Sequence, residues 1–185
     1  MTRSAVTTFA LASAVIAAVL VPTACGGPDR AAPRADAAQE AKRLAALWTY
    51  FDEAVANGRQ RSATIYSTDD VDTGGQNPRR VRLVFRDHPS WGRSSYLVLE
   101  GGDFDCYDGC TVQVKVDNDP AKPMAARRPR TDEAIAMFID DAHALFRLAA
   151  TARKKIDIDF PVKAGGTRSA SFEVAGLQPS KITGS

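Results

Sequence analysis

Val112, Val114 and Val116 alternate with Thr111, Gln113, Lys115 and Asp117. In an extended chain a period of two sends alternate side chains to opposite faces, so one face is apolar and the other is wetted. The pattern returns at Ala63 and Ile65, and at Val81, Leu83 and Phe85 between Arg80, Arg82 and Arg86. It returns again at residues 94–100, at Ile156, Ile158 and Phe160, and at Ala170, Phe172 and Val174. Half-buried strands of this kind belong to antiparallel sheets. The links are short and turn-like: Gly74-Gly75, Pro89-Ser90-Trp91-Gly92, Asp108-Gly109 and Gly165-Gly166. A meander therefore fits better than parallel crossovers. The expectation is an α+β domain, an antiparallel β-rich sheet or sandwich of about six or seven strands.

Two stretches read as helical. Leu44, Leu47, Trp48, Phe51 and Val55 fall on one face of a helix, Asp36 with Gln39 resembles a capping box, and Asn57-Gly58 is a stop signal. This N-terminal helix faces the core, or else presents Trp48 outward to a partner. Residues 131–154 carry a second stripe, Ile135, Phe138, Ile139, Ala142, Leu145, Phe146 and Ala149, just before the last strand pair. Here periodicity leaves an alternative open: Asp140 capping a shorter helix, with residues 136–139 as a brief strand.

The first 24 residues have the form of an export signal. Arg3 supplies a positive start and residues 10–21 an apolar segment too short to span a membrane. Cys25 follows Val21-Pro22-Thr23-Ala24, which resembles a lipobox, although Pro22 stands where that motif usually has an aliphatic residue. Cleavage before Cys25 leaves a lipidated, palmitate-bearing first residue. Cleavage by ordinary signal peptidase would leave a free thiol instead. Residues 25–35 read as a lipidated cysteine and a flexible tether, broken by Pro28 and Pro33. Residues 36–180 form one domain, and 181–185 a tail. Gly26, rather than Asp, favours the outer membrane, with the protein facing the periplasm.

Charge nearly balances, with 24 Lys+Arg against 22 Asp+Glu. That balance, together with export, argues against nucleic acid as a partner. In an oxidising compartment Cys106 and Cys110 are expected to pair across Tyr107-Asp108-Gly109, closing a loop whose entropy is worth about 2 kcal/mol. His88 and His143 show no metal-ligand spacing with them. Asp103, Asp105, Asp108, Asp117 and Asp119 lack the spacing of a calcium loop and read as solvated turn acids. There is no signature of nucleophilic catalysis or phosphate binding, so no catalytic residue, metal or cofactor is assigned.

Arg86-Asp87-His88-Pro89-Ser90-Trp91-Gly92-Arg93 joins two expected strands. Trp91 between Arg86 and Arg93 has the composition that enriches at protein interfaces. These three and Trp48 are the candidate partner-binding residues. Arg127-Arg128-Pro129-Arg130 reads as a charged loop able to meet anionic headgroups or an acidic partner.

From Ser62 to Leu177 the order of motifs resembles a module of proteobacterial envelope proteins. The matching segments are Arg82-Leu83-Val84-Phe85, Cys106 to Cys110, Val112 to Asp117, Phe138-Ile139-Asp140 and Phe172-Glu173-Val174-Ala175-Gly176-Leu177. The module is similar to domains of type VI secretion accessory and invasion-associated proteins. The resemblance implies fold and location and carries over no catalytic residue.

The functional expectation is a non-catalytic, lipid-anchored envelope protein that binds another protein in the periplasm, in a secretion, immunity or assembly role. The alternatives are a carboxylate enzyme acting on wall polymer and a structural lipoprotein linking membrane to wall. Cys25→Ser is expected to abolish metabolic labelling by palmitate. Labelling that persists in the variant would contradict the lipid anchor.

Overall fold

The computed structural model describes residues 31–129 and 135–183. The export signal, Cys25, the start of the tether, Arg130 and residues 131–134 lie outside the described residues. Each alternating segment is a strand, and three more join them: β1(Thr49–Val55), β2(Gly58–Val71), β3(Arg79–His88), β4(Gly92–Leu99), β5(Cys110–Val116), β6(Lys122–Arg127), β7(Ile135–Ile139), β8(Ile156–Pro161) and β9(Thr167–Phe172). All pairings are antiparallel, in the order β1-β2-β3-β4-β7-β6-β5-β8-β9. Nine strands replace the expected six or seven. The helices are α1(Ala31–Ala46) and α2(Ala142–Thr151).

The sheet curls until β9 lies beside β2, with Cα atoms within 8 Å. Its inner face encloses one core, which includes Leu83, Phe85, Leu97, Phe104, Ile158 and Phe160. Phe104 meets Phe160 edge to face, with centroids 5.4 Å apart. Leu145 and Ala149 of α2 bury their stripe in the same core. The loops at one end close tightly: Gly102 has φ +71°, and a Cβ there would stand 1.9 Å from the Thr73 carbonyl oxygen. Only glycine fits that crossing.

The first expected helix is two elements. α1 stops at Ala46, and Thr49–Val55 turns back against β2, with Val55 opposite Gly58. Asn57-Gly58 is therefore a hairpin turn, a role this dipeptide serves as well as it stops a helix. Trp48 lies in the core at 5% exposure, its ring 6.0 Å from Phe85. The α1 side chains from Arg34 to Arg43 are exposed. The base of α1 is fixed by Arg43, which reaches Glu173 at 2.9 Å, and by Gly176, where a Cβ would meet the Leu44 carbonyl at 2.2 Å. The helix begins inside the segment read as tether, with Pro33 in its first turn, where proline is tolerated. At the other terminus Ile182 is buried, so the domain runs past residue 180.

The second stripe divides as the alternative reading has it. Residues 135–139 are β7, and α2 is capped by Asp141 rather than the expected Asp140: the Asp141 carboxylate accepts from Ala144 N at 2.8 Å. Cys106 and Cys110 are joined by a disulfide.

Asp117 is a turn acid with a structural task. At φ +48° its carboxylate accepts hydrogen bonds from the backbone N–H groups of Arg153, Lys154 and Lys155 at 2.8–3.0 Å. These bonds pin the link from α2 to β8. The Lys155, Arg153 and Lys154 amides hold the carboxyl below its usual value against some desolvation. A depressed folded pKa adds stability above the unfolded value, about 4, and that stability is lost as pH falls through the folded pKa. Asp117→Asn should therefore melt below the wild type at pH 7, and the gap should close below about pH 4. A gap unchanged at pH 3 would contradict this role.

Candidate interaction surface

Directly paired residues of an antiparallel sheet project to the same face. The register of β1 to β4 and β7 thus defines three rows on the outer side of the sheet. One row runs Phe51, Ser62, Arg86, Ser94. The next runs Thr49, Thr64, Val84, Tyr96, Phe138. The third runs Tyr66, Arg82, Val98, Ala136. A sheet face turned to water is ordinarily polar, but here Val84, Val98 and Ala136 are buried beneath Tyr96 and Phe138. The Tyr96 and Phe138 rings lie 4.8 Å apart. Among the described residues three of the four exposed large apolar side chains border this face: Trp91 at 70%, Phe51 at 46% and Tyr66 at 43%.

Trp91 owes its position to the β3–β4 turn. His88 pairs with Gly92, leaving a three-residue loop that Gly92 closes at φ +69°. Ser90 N donates to His88 Nδ1 at 3.1 Å, which orients the imidazole. The indole stacks on that ring at 3.9 Å and 13°. Asn57 donates to Ser90 Oγ at 3.0 Å, tying this loop to the β1–β2 turn. An exposed tryptophan held by its neighbours loses little rotamer freedom when a partner covers it.

Arg86 completes the cluster. Its Cζ lies 5.4 Å from the Trp91 ring centre and 5.5 Å from that of Tyr96, within cation–π range of both. Its Nε donates to Ser94 Oγ at 3.1 Å. Burial raises the Tyr96 phenol above its usual pKa, against the opposing pull of Arg86 and Arg82, so Tyr96 presents a neutral hydroxyl at physiological pH.

The other expected site residues lie elsewhere. Arg93 belongs to the opposite face, 3.7 Å from Asp87 and 6.0 Å from the Phe146 ring centre. Trp48 is enclosed by the core, so neither of its ring faces is open to a partner. The basic run is divided rather than presented as one patch. Arg127 pairs with Asp140 at 3.6 Å, while Arg128 is buried on Asp103 at 2.5 Å and lies over the Tyr107 ring. Burial works against the Asp103 charge, but hydrogen bonds from Lys163, Tyr107 and Arg128 hold its carboxyl below the usual range. Asp103 and Asp117 are thus engaged in holding loops together. Among the described residues, no three His, Cys, Asp or Glu side chains gather as a metal site.

The sequence reading did not single out Arg82, Val84, Tyr96 or Phe138 as parts of a surface. The signal was present, because Leu83-Val84-Phe85 and Tyr96-Leu97-Val98-Leu99 leave no polar phase for a wetted face. A second concavity of about 500 Å³ lies between β6 and α2, walled by Met124, Ala144 and Leu148 and flanked by Lys122 and Arg147. No family model matches the chain, and no curated protein or solved structure matches it either.

In a Trp48→Phe background, Trp91 emission should be freely quenched by iodide. Adding His88→Ala should then lower its anisotropy as the stacking is lost. Anisotropy unchanged by His88→Ala would show that the imidazole does not hold the ring.

Proposed function

We propose that this protein is a non-catalytic, lipid-anchored component of the cell envelope that binds another protein in the periplasm through the outer face of β3 and β4. One observation carries the reading: Trp91 is largely exposed yet stacked on His88, with Arg86 between it and Tyr96. Tryptophan, tyrosine and arginine dominate interface energetics, and a pre-ordered cluster of them resembles a hot spot more than a solvated loop. Exposed Phe51 and Tyr66 add apolar surface near it, and Val84 and Val98 are buried beneath its rings.

The anchor rests on the sequence. Cys25 ends the apolar segment six residues before α1 begins at Ala31. A helix of 16 residues is about 24 Å long. Its exposed sides suit a spacer between the lipid and the domain better than a core element. Gly26 and the similarity of motif order to envelope modules support an outer-membrane anchor facing the periplasm. A secretion accessory, an immunity protein and an assembly factor all satisfy this description.

Trp91→Ala tests the reading. The exchange lies on the surface and should change unfolding free energy by no more than about 0.5 kcal/mol in urea titration. It should reduce capture of envelope partners several-fold, measured by cross-linking in cells followed by affinity purification. Recovery of the same partners in the same amounts would contradict the proposed face.

A further inference from the structure

Two arginines of the outer face have no ion-pair partner among the described residues. Arg82 and Arg86 occupy alternate outward positions of β3 on either side of Val84. Several other sheet arginines are paired: Arg59 and Arg61 share Asp52, Arg93 meets Asp87, and Arg127 meets Asp140. Among the described residues no carboxylate lies within ion-pair distance of Arg82 or Arg86. The only hydrogen bond either side chain makes there is from Arg86 Nε to Ser94 Oγ. Among the described residues Arg82 Nε and, in the core, Trp48 Nε1 are buried without a hydrogen-bond partner. A buried donor left unsatisfied costs about 1–3 kcal/mol, so folding gains nothing from leaving it there. Arg82 is only partly buried, so a ligand at the surface can supply an acceptor to its guanidinium.

We infer that Arg82 and Arg86 receive carboxylates of an acidic segment of the protein partner, laid along the outer face of β3 between Tyr66, Tyr96 and Trp91. The inference rests on the proposed binding face and adds the chemistry of what it takes. Four residues along a strand put the two arginine Cα atoms about 13 Å apart. The occupant is therefore an extended or helical segment with acids spaced to match, rather than a single anion. Guanidinium groups bind carboxylates through paired N–H donors, and the flanking rings exclude water from the contact. Arg82 is a specificity residue in this scheme, and Trp91 the anchor.

The test uses the full-length Trp48→Phe protein in detergent micelles, with Trp91 emission as the signal and a hexaglutamate peptide as the probe. Hexaserine serves as the control peptide and dihexanoyl-phosphatidylglycerol as an anionic lipid. Hexaglutamate should bind more tightly than hexaserine and weaken steeply with salt. It should lose at least tenfold in affinity with Arg82→Gln and with Arg82→Met. Both variants should melt at or above the wild-type temperature, since Nε gives up no hydrogen bond. Equal binding of the two peptides, or unchanged hexaglutamate affinity in the variants, would overturn the inference. So would Arg82-dependent binding of the lipid without binding of the peptide. If Trp91→Ala impairs partner capture and Arg82→Gln does not, the binding face stands and the acidic segment falls. If hexaglutamate requires Arg82 while Trp91→Ala spares capture, the acid site stands and the proposed face falls.

Discussion

β3 is apolar along its inner face and carries one buried valine, Val84, among the arginines of its outer face, and the molecule is arranged around that constraint. Val81, Leu83 and Phe85 point into the single core, where Phe85 meets Trp48 and Phe146. Val84 points the other way and is buried with Val98 and Ala136 under two aromatic rings. Burying a valine or leucine is worth about 1.5–3 kcal/mol each. The inner set therefore closes the sheet around β3, and α2 seals the remaining side. The outer set cannot be covered by the same core. It recruits Tyr96, Phe138 and Arg86 as a partial cover, and that cover is the surface read here as the binding face.

Charge is arranged differently on the two sides of the molecule. Where loops must be held, cations and anions are matched: Asp103 gathers Arg128, Tyr107 and Lys163, and Asp117 gathers three backbone amides. On the outer face Arg86 is held by two ring contacts and one serine hydroxyl instead. Ring faces tolerate a guanidinium without neutralising it. The positive charge therefore stays available at the surface, surrounded by apolar groups that strengthen any ion pair formed there.

Much of the fold is legible in the sequence because alternation is a local property. All six strands read from it are present. The segments that misled are those where two periods coincide or where neither is strong. Leu44 to Val55 fits a helical stripe, yet Thr49, Tyr50 and Phe51 prefer extended backbone, and the hairpin closed by Asn57-Gly58 wins once Trp48 enters the core. β6, Lys-Pro-Met-Ala-Ala-Arg, has too few large apolar residues to register, and it forms because β5 and β7 supply its hydrogen bonds. The surface was half legible. Trp91 and Arg86 stood out by residue type, whereas Arg82, Tyr96 and Phe138 join them only through the register of three strands. Trp48 and Arg93 had the right residue types on the wrong side of the sheet.

Site-specific photo-cross-linking in living cells decides whether a partner docks on the outer face of β3 and β4. A photoreactive phenylalanine analogue would replace Trp91 on the proposed face, and in a second strain Arg147 beside the β6–α2 concavity. The account predicts a discrete cross-link to an envelope protein from position 91 and none from position 147. A cross-link from 147 alone, or the same products from both, would contradict it.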